Sequence, residues 1–222
     1  MPEHDRVIGL VLFPGLAALD IVGPYEVLAS LGEHGVNAGY RTVWISETLE
    51  PVRSHQGLTM VPEVTFEQAP PLDVIVVPGG PGQAQQMSNV AMIAYLKRAG
   101  RQATTVCSVC TGALLLAKAG FLIGKKATTH WMAMEELEEL GATPVKSRVV
   151  KDGKVITAAG VSAGIDMALT LAAELAGEAA AQAIQLNIEY DPKPPFDSGS
   201  PEKAPPEILA AFSRVVNPDG ES

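Results

Sequence analysis

Two apolar runs, each closed by a turn signal, limit what this chain can fold into. Residues 7–13 stop at Pro14-Gly15, and residues 72–77 stop at Pro78-Gly79-Gly80-Pro81-Gly82. Runs of this length are too short to cross a membrane. Being apolar at every position but Asp73, they suit strands buried on both faces, as in a parallel sheet. Further strands are predicted at 40–45 and 103–109, a short strand pair within 54–62 around Gly57, and a hairpin over 149–157 turned by Asp152-Gly153. Helical segments are predicted at 20–31, 90–99, 112–119, 131–140, 163–176 and 178–190. In the first of these, Gly23-Pro24 is read as a turn that sets the start, and Gly32 as the end. Apolar strands alternating with helices predict an α/β fold with a mostly parallel sheet covered on both faces.

The chain has 222 residues, 47% of them hydrophobic and 18% charged, enough apolar material for one sizeable core. A single α/β domain is expected over residues 1–190. Residues 191–222 form an extension that carries Pro192, Pro194, Pro195, Pro201, Pro205 and Pro206. It is expected to be extended, lying on the body or reaching a partner, with a short helix at 207–216. The net charge of −9 opposes a polyanionic partner, and Lys125-Lys126 is a lone basic pair rather than a patch. Two cysteines, Cys107 and Cys110, cannot build a disulfide framework, and no second cysteine pair completes a zinc site. The histidines, His4, His34, His55 and His130, show no metal-ligand spacing. The polar start shows no signal-peptide pattern. Residues 155–177 mimic a membrane span, but Asp166, Glu174 and several glycines favour a core strand followed by a core helix. A cytoplasmic protein with reduced thiols, no metal and no membrane contact is the expectation.

The segment from Thr104 to Leu116 is the most informative for chemistry. A buried strand runs into a helix with Cys110 at the corner, and Thr111-Gly112 open the helix. A thiol at a helix N-terminus faces unpaired amides and the positive end of the dipole, so a lowered pKa is expected. The pattern is that of a nucleophile elbow; the other reading is a small buried cysteine that merely packs. Cys107 lies three residues earlier, an odd spacing that turns it to the opposite face as a core thiol. The glycines of Pro78-Gly79-Gly80 either let backbone amides approach a developing anion or simply turn the chain. Asp20, among leucine, isoleucine and valine, is either a helix cap or a tuned acid. His130 is a base for Cys110 or a packed ring. The acids Glu135, Glu136, Glu138 and Glu139 read as a solvated face.

Taken together, these residues resemble the DJ-1/PfpI superfamily, most closely its bacterial isocyanide-hydrating members. The resemblance is carried by Leu12-Phe13-Pro14, the stretch Leu19-Asp20-Ile21-Val22-Gly23-Pro24, Pro71-Leu72-Asp73-Val74-Ile75, Pro78-Gly79-Gly80, Ser108-Val109-Cys110-Thr111-Gly112, Ala127-Thr128-Thr129-His130-Trp131, Ala163-Gly164-Ile165-Asp166 and, in the tail, Pro194-Pro195-Phe196. It implies a flavodoxin-like three-layer α/β sandwich with a cysteine nucleophile elbow. It also implies a homodimer, for whose interface the extension is a candidate. Cys110 is the implied nucleophile, and the amides of Thr111 and Gly80 resemble an oxyanion-type pocket. Many superfamily members carry glutamate where Asp20 stands; the isocyanide-hydrating ones carry aspartate.

The implied activity is hydration of a small-molecule isocyanide to an N-substituted formamide, without metal or organic cofactor. Cys110 would attack the terminal carbon to give a thioimidate-like adduct. Asp20 would protonate that carbon and then activate water, which needs a raised pKa. Thr111 would orient Asp20 or the substrate through its hydroxyl. The alternatives are a glyoxalase-like thiol enzyme and a non-catalytic cysteine redox or ligand sensor. Related domains also serve in transcription regulators. The short stretch after Tyr190 leaves no room for DNA-binding helices, and the acidic charge opposes DNA.

Overall fold

A computed structural model of the chain describes residues 6–33, 36 and 38–216. His4 and His34 lie outside them. The first apolar run becomes β1 (Arg6–Val11), followed by α1 (Ala18–Ala29) and β2 (Tyr40–Ser46). The short strands β3 (Val52–Arg53), β4 (Thr59–Met60) and β5 (Val64–Thr65) come next, then β6 (Val74–Val77) from the second run. The chain continues through α2 (Gln83–Gln86), α3 (Val90–Gln102), β7 (Thr105–Val109) and α4 (Gly112–Lys118). After β8 (Lys126–Ala127), α5 (Met134–Glu139) and β9 (Thr143–Pro144), the hairpin strands β10 (Val149–Asp152) and β11 (Val155–Ala158) lead into α6 (Ala163–Ala176) and α7 (Glu178–Asn187).

Seven strands form the main sheet in the order β10-β11-β7-β6-β1-β2-β5. Every pairing in it is parallel except β10 with β11. All four residues of β6 are buried, as expected for a strand covered on both faces. Helices α1, α6 and α7 pack together, while α4 packs with α2, α3 and α5. The mostly parallel, helix-flanked sheet is the flavodoxin-like arrangement expected from the sequence. From β1 the chain runs to β2 on one side, and later from β6 to β7 and β11 on the other. The loops leaving β1 and β6 therefore diverge at a topological switch point, where open α/β sheets present their ligand sites.

Four local expectations are corrected. Gly23-Pro24 does not start the first helix; α1 begins at Ala18 and carries Pro24 inside it. Proline there forfeits the hydrogen bond its N–H would make to the Asp20 carbonyl. Packing against α6 compensates: a Cβ on Gly164 would lie 3.1 Å from Pro24, and one on Gly23 3.0 Å from Ile165. The strand pair near Gly57 is shifted to Val52↔Met60 and Arg53↔Thr59. The hairpin turns on Gly153 and Lys154, because Asp152 still pairs with Val155. The Asp152 carboxyl is held by Lys125 Nζ (3.2 Å) and the Lys126 amide (2.9 Å), so the basic pair is tied to one acid. Finally, 131–140 opens as a 3₁₀ turn, Trp131–Ala133, before α5, with all four of its glutamates exposed.

The chain divides into a large unit ending at Glu189 and a small unit beginning at Tyr190. The small unit holds an extended stretch and α8 (Pro206–Val216). Among the described residues no helix is long and apolar enough to cross a membrane.

Candidate active site

The strand-to-helix corner after β7 is built as a strained turn. Cys110 has φ 56°, a left-handed conformation that costs a residue with a Cβ on the order of 1–2 kcal/mol. The surroundings hold it there. Its amide donates to the carbonyls of Ala158 (3.1 Å) and Ala159 (2.9 Å), and its carbonyl accepts the Thr129 hydroxyl at 2.9 Å. Cys110 is 5% exposed, buried beneath the surface.

Asp20, fully buried in the first turn of α1, faces this thiol. Its Oδ2 accepts the Gly79 amide at 2.9 Å, and the carboxyl and the Cys110 thiol are hydrogen-bonding neighbours. Asp20 is not a cap: Ala17 occupies that position. Burial pushes the carboxyl up to about 6, against the lowering effects of the Gly79 amide and the thiol. This is the raised acid that the mechanism implied by the resemblance requires.

The thiol departs from expectation. It is pushed up to about 12, first by burial and then by the Asp20 charge. The amides of Thr111 and Val161, both directed at the sulfur, act in the opposite sense and are outweighed. The lowering foreseen from the helix N-terminus survives in the Thr111 amide but is outweighed. Desolvation of an anion is the larger effect.

The four residues singled out, Asp20, Gly80, Cys110 and Thr111, come from three strand exits and meet here. Gly80 has φ 114°, and a Cβ on it would lie 2.2 Å from the Ala17 nitrogen, so only glycine lets the β6 exit pass the β1 exit. Its amide donates to Thr111 Oγ1 at 3.0 Å, which spends that amide on fixing Thr111. Two groups escaped the sequence reading: the Gly79 amide on Asp20 and the Val161 amide on Cys110. Neither had a sequence signal: the Val161 amide comes beside the corner because β11 neighbours β7 in the sheet. His130 is not among the groups acting on the thiol. Its Nδ1 accepts the Met132 amide at 3.4 Å, its ring lies against Gly160, and burial lowers its pKa.

Cys107 is fully buried in β7, and its thiol is driven well above the ordinary range, chiefly by burial. Iodoacetamide should therefore add at most one adduct per native chain, at Cys110, and a second only after denaturation. Intact mass with peptide mapping reads both. A cavity of about 200 Å³ at the carboxyl ends of β1 and β2 is walled by Phe13, Ser46, Glu47, Gln86 and Asn89; Cys110 does not line it. Among the described residues no cluster of three His, Cys, Asp or Glu side chains could hold a metal ion.

Known proteins share this arrangement of chain. Isonitrile hydratase of Pseudomonas putida is 50% identical over 202 residues, 91% of this chain and 86% of that protein. The crystal structure of a ThiJ/PfpI family protein from Pseudomonas syringae matches with a TM-score of 0.90 at 38% identity, covering 96% of this chain and 87% of that one. Glutathione-independent glyoxalase DJR-1.2 of Caenorhabditis elegans is 26% identical over 153 residues, 68% of this chain and 79% of that protein. The model of the DJ-1/PfpI family matches residues 6–174, a span that runs from β1 into the last turns of α6 and takes in every strand exit around Cys110. With that span matched and the strand order that places the exits together, the chain belongs to the DJ-1/PfpI family.

Proposed function

We propose that the protein is an isocyanide hydratase: it adds water to R–N≡C to give R–NH–CHO, with Cys110 as nucleophile and Asp20 as proton carrier. The observation that carries the reading is the buried Asp20–Cys110 pair in a chain half identical to the Pseudomonas putida isonitrile hydratase. Between about 6 and about 12 the pair holds one proton, which sits on sulfur. Asp20 accepts it as the sulfur attacks the terminal carbon. Attack leaves an electron pair on that same carbon, and Asp20 returns the proton there, giving the thioimidate R–N=CH–S–Cys110. The ionised carboxyl then deprotonates a water that adds to the carbon. The tetrahedral adduct collapses with the C–S bond breaking, nitrogen takes one proton and sulfur the other, and formamide leaves. The Thr111 and Val161 amides stabilise the sulfur while it is anionic, and the Thr111 hydroxyl, fixed by the Gly80 amide, borders the same space. None of these steps calls for a metal or an organic cofactor. The reading includes a homodimer in the cytoplasm; Phe196 and Ile208 of the small unit are exposed apolar surface that a second copy would cover.

The direct test is formamide formation from an aryl isocyanide, followed by ultraviolet absorbance, against protein lacking the Cys110 thiol. Absence of turnover by reduced, folded protein overturns the proposal. The nematode relative favours a glyoxalase-like alternative, which predicts Cys110-dependent loss of methylglyoxal instead.

The pair also fixes a pH dependence. Below about 6 the carboxyl is protonated and cannot receive the thiol proton. kcat/KM should therefore rise with pH, tenfold per pH unit at first, bend near 6 and stay level into the alkaline range. A rate that falls as pH rises through 6 would mean that Asp20 must start protonated, contrary to the sequence of steps above.

A further inference from the structure

Of the two amides directed at the Cys110 sulfur, that of Thr111 is fixed by its neighbours. It follows Cys110 directly, and its side chain is pinned by the Gly80 amide at 3.0 Å. The Val161 amide belongs to the loop between β11 and α6, residues 159–162. The Cys110 amide donates to the Ala159 carbonyl (2.9 Å), the Ala159 amide donates to the Arg148 carbonyl (2.9 Å), and the His130 ring lies against Gly160. Beyond Val161 a different anchor takes over. Arg148 Nη2 donates to Ser162 Oγ at 3.1 Å, and Arg148 Nε pairs with Asp166 Oδ2. Ser162 sits at the start of α6, where serine ordinarily caps the helix, yet its hydroxyl makes no capping bond. Asp166, an acid in the first turn of α6, is taken by the same guanidinium.

We propose that Arg148 is a positioning residue for the Cys110 site: by bridging Ser162 and Asp166 it sets the first turn of α6, and with it the Val161 amide, against the sulfur. The proposal rests on Cys110 being the nucleophile but not on which substrate it attacks. The Arg148 guanidinium is about half exposed. Its ion pair is therefore worth little as stabilisation, and the consequence is geometric. The charged and titratable groups around the thiol are few. Asp20 of α1 acts on it directly, and His130 borders the loop. Arg148 itself is not among the charges acting on the sulfur.

The test is the second-order rate of Cys110 alkylation by iodoacetamide between pH 5 and 9, which needs no isocyanide and so stands apart from the proposed hydration. Arg148→Met and Asp166→Asn should each slow alkylation roughly tenfold above pH 6, as expected when an anion loses one amide donor. Arg148→Lys, which reaches one partner but cannot fork across two, should recover part of the rate. Ser162→Ala removes one hydroxyl and serves if the charge variants fold poorly; it should slow alkylation in the same direction by a smaller factor. Peptide-level hydrogen exchange should speed up over residues 159–162 in each variant. Unchanged alkylation rates in folded variants, or a lower melting temperature with no change in rate, would reduce Arg148 to a structural ion pair and overturn the proposal.

Discussion

Cys110→Ala is expected to reduce formamide production to the uncatalysed background, a loss of at least about a thousandfold in kcat. The reason is chemical. The proposed thioimidate needs a sulfur bonded to the isocyanide carbon, and no other nucleophile stands in that place: Cys107 is sealed in β7. The fold should survive. Alanine keeps the backbone contacts of the corner, with Ala158, Ala159 and Thr129, and bears the same left-handed strain, since it too carries a Cβ. The variant should melt close to the parent while consuming no aryl isocyanide. More than a few per cent of parental turnover would remove Cys110 from the reaction.

Asp20→Asn is expected to be as damaging to activity and the reverse for stability. The amide can still accept the Gly79 N–H but can neither take nor return a proton, so kcat/KM should fall by about a thousandfold or more. Stability follows from linkage. The carboxyl pKa is about 6 in the folded chain and near 3.8 in a solvated one, so the folded state binds the proton more tightly. Its contribution is fully present below 3.8 and is lost as pH rises through 6. Above that the parent carries a buried charge that asparagine avoids. The advantage of Asp20→Asn should therefore grow by about 2 kcal/mol between pH 4 and pH 8. Urea unfolding at the two pH values measures it. An advantage independent of pH would show that the carboxyl is not the buried, reluctant acid described here.

What the sequence could and could not reveal divides along distance. The Cys110 corner was legible because strand, cysteine and helix are contiguous, and the sheet because β1 and β6 are apolar at nearly every position. Asp20 was ambiguous: its immediate neighbours fit a cap as well as a tuned acid, and only the family resemblance leaned toward the acid. The thiol pKa was misjudged for the same reason. The helix terminus is local to Cys110, whereas the burial and the Asp20 charge that outweigh it come from segments far along the chain. The Gly79 and Val161 amides were missed because backbone groups carry no residue signature, and register alone decides where they point. Pro24 misled because its local cost is real; the contact of α1 with α6 that offsets it is tertiary.

Cys110 is enclosed by four strand exits, reaching from the loop before Asp20 to the loop that carries Val161. No early-folding fragment can assemble it, because its contacts join segments so widely separated in sequence. The elbow too is held by distant groups, the Ala158 and Ala159 carbonyls and the Thr129 hydroxyl, so a growing or partly folded chain carries the cysteine before its enclosure exists. In that interval the sulfur is an ordinary accessible thiol, free to react with peroxide or disulfides. Completion of the sheet leaves Cys110 only 5% exposed and keeps it protonated at neutral pH, and both slow such reactions. Peroxide should therefore oxidise Cys110 faster during biosynthesis or transient opening than in the finished fold.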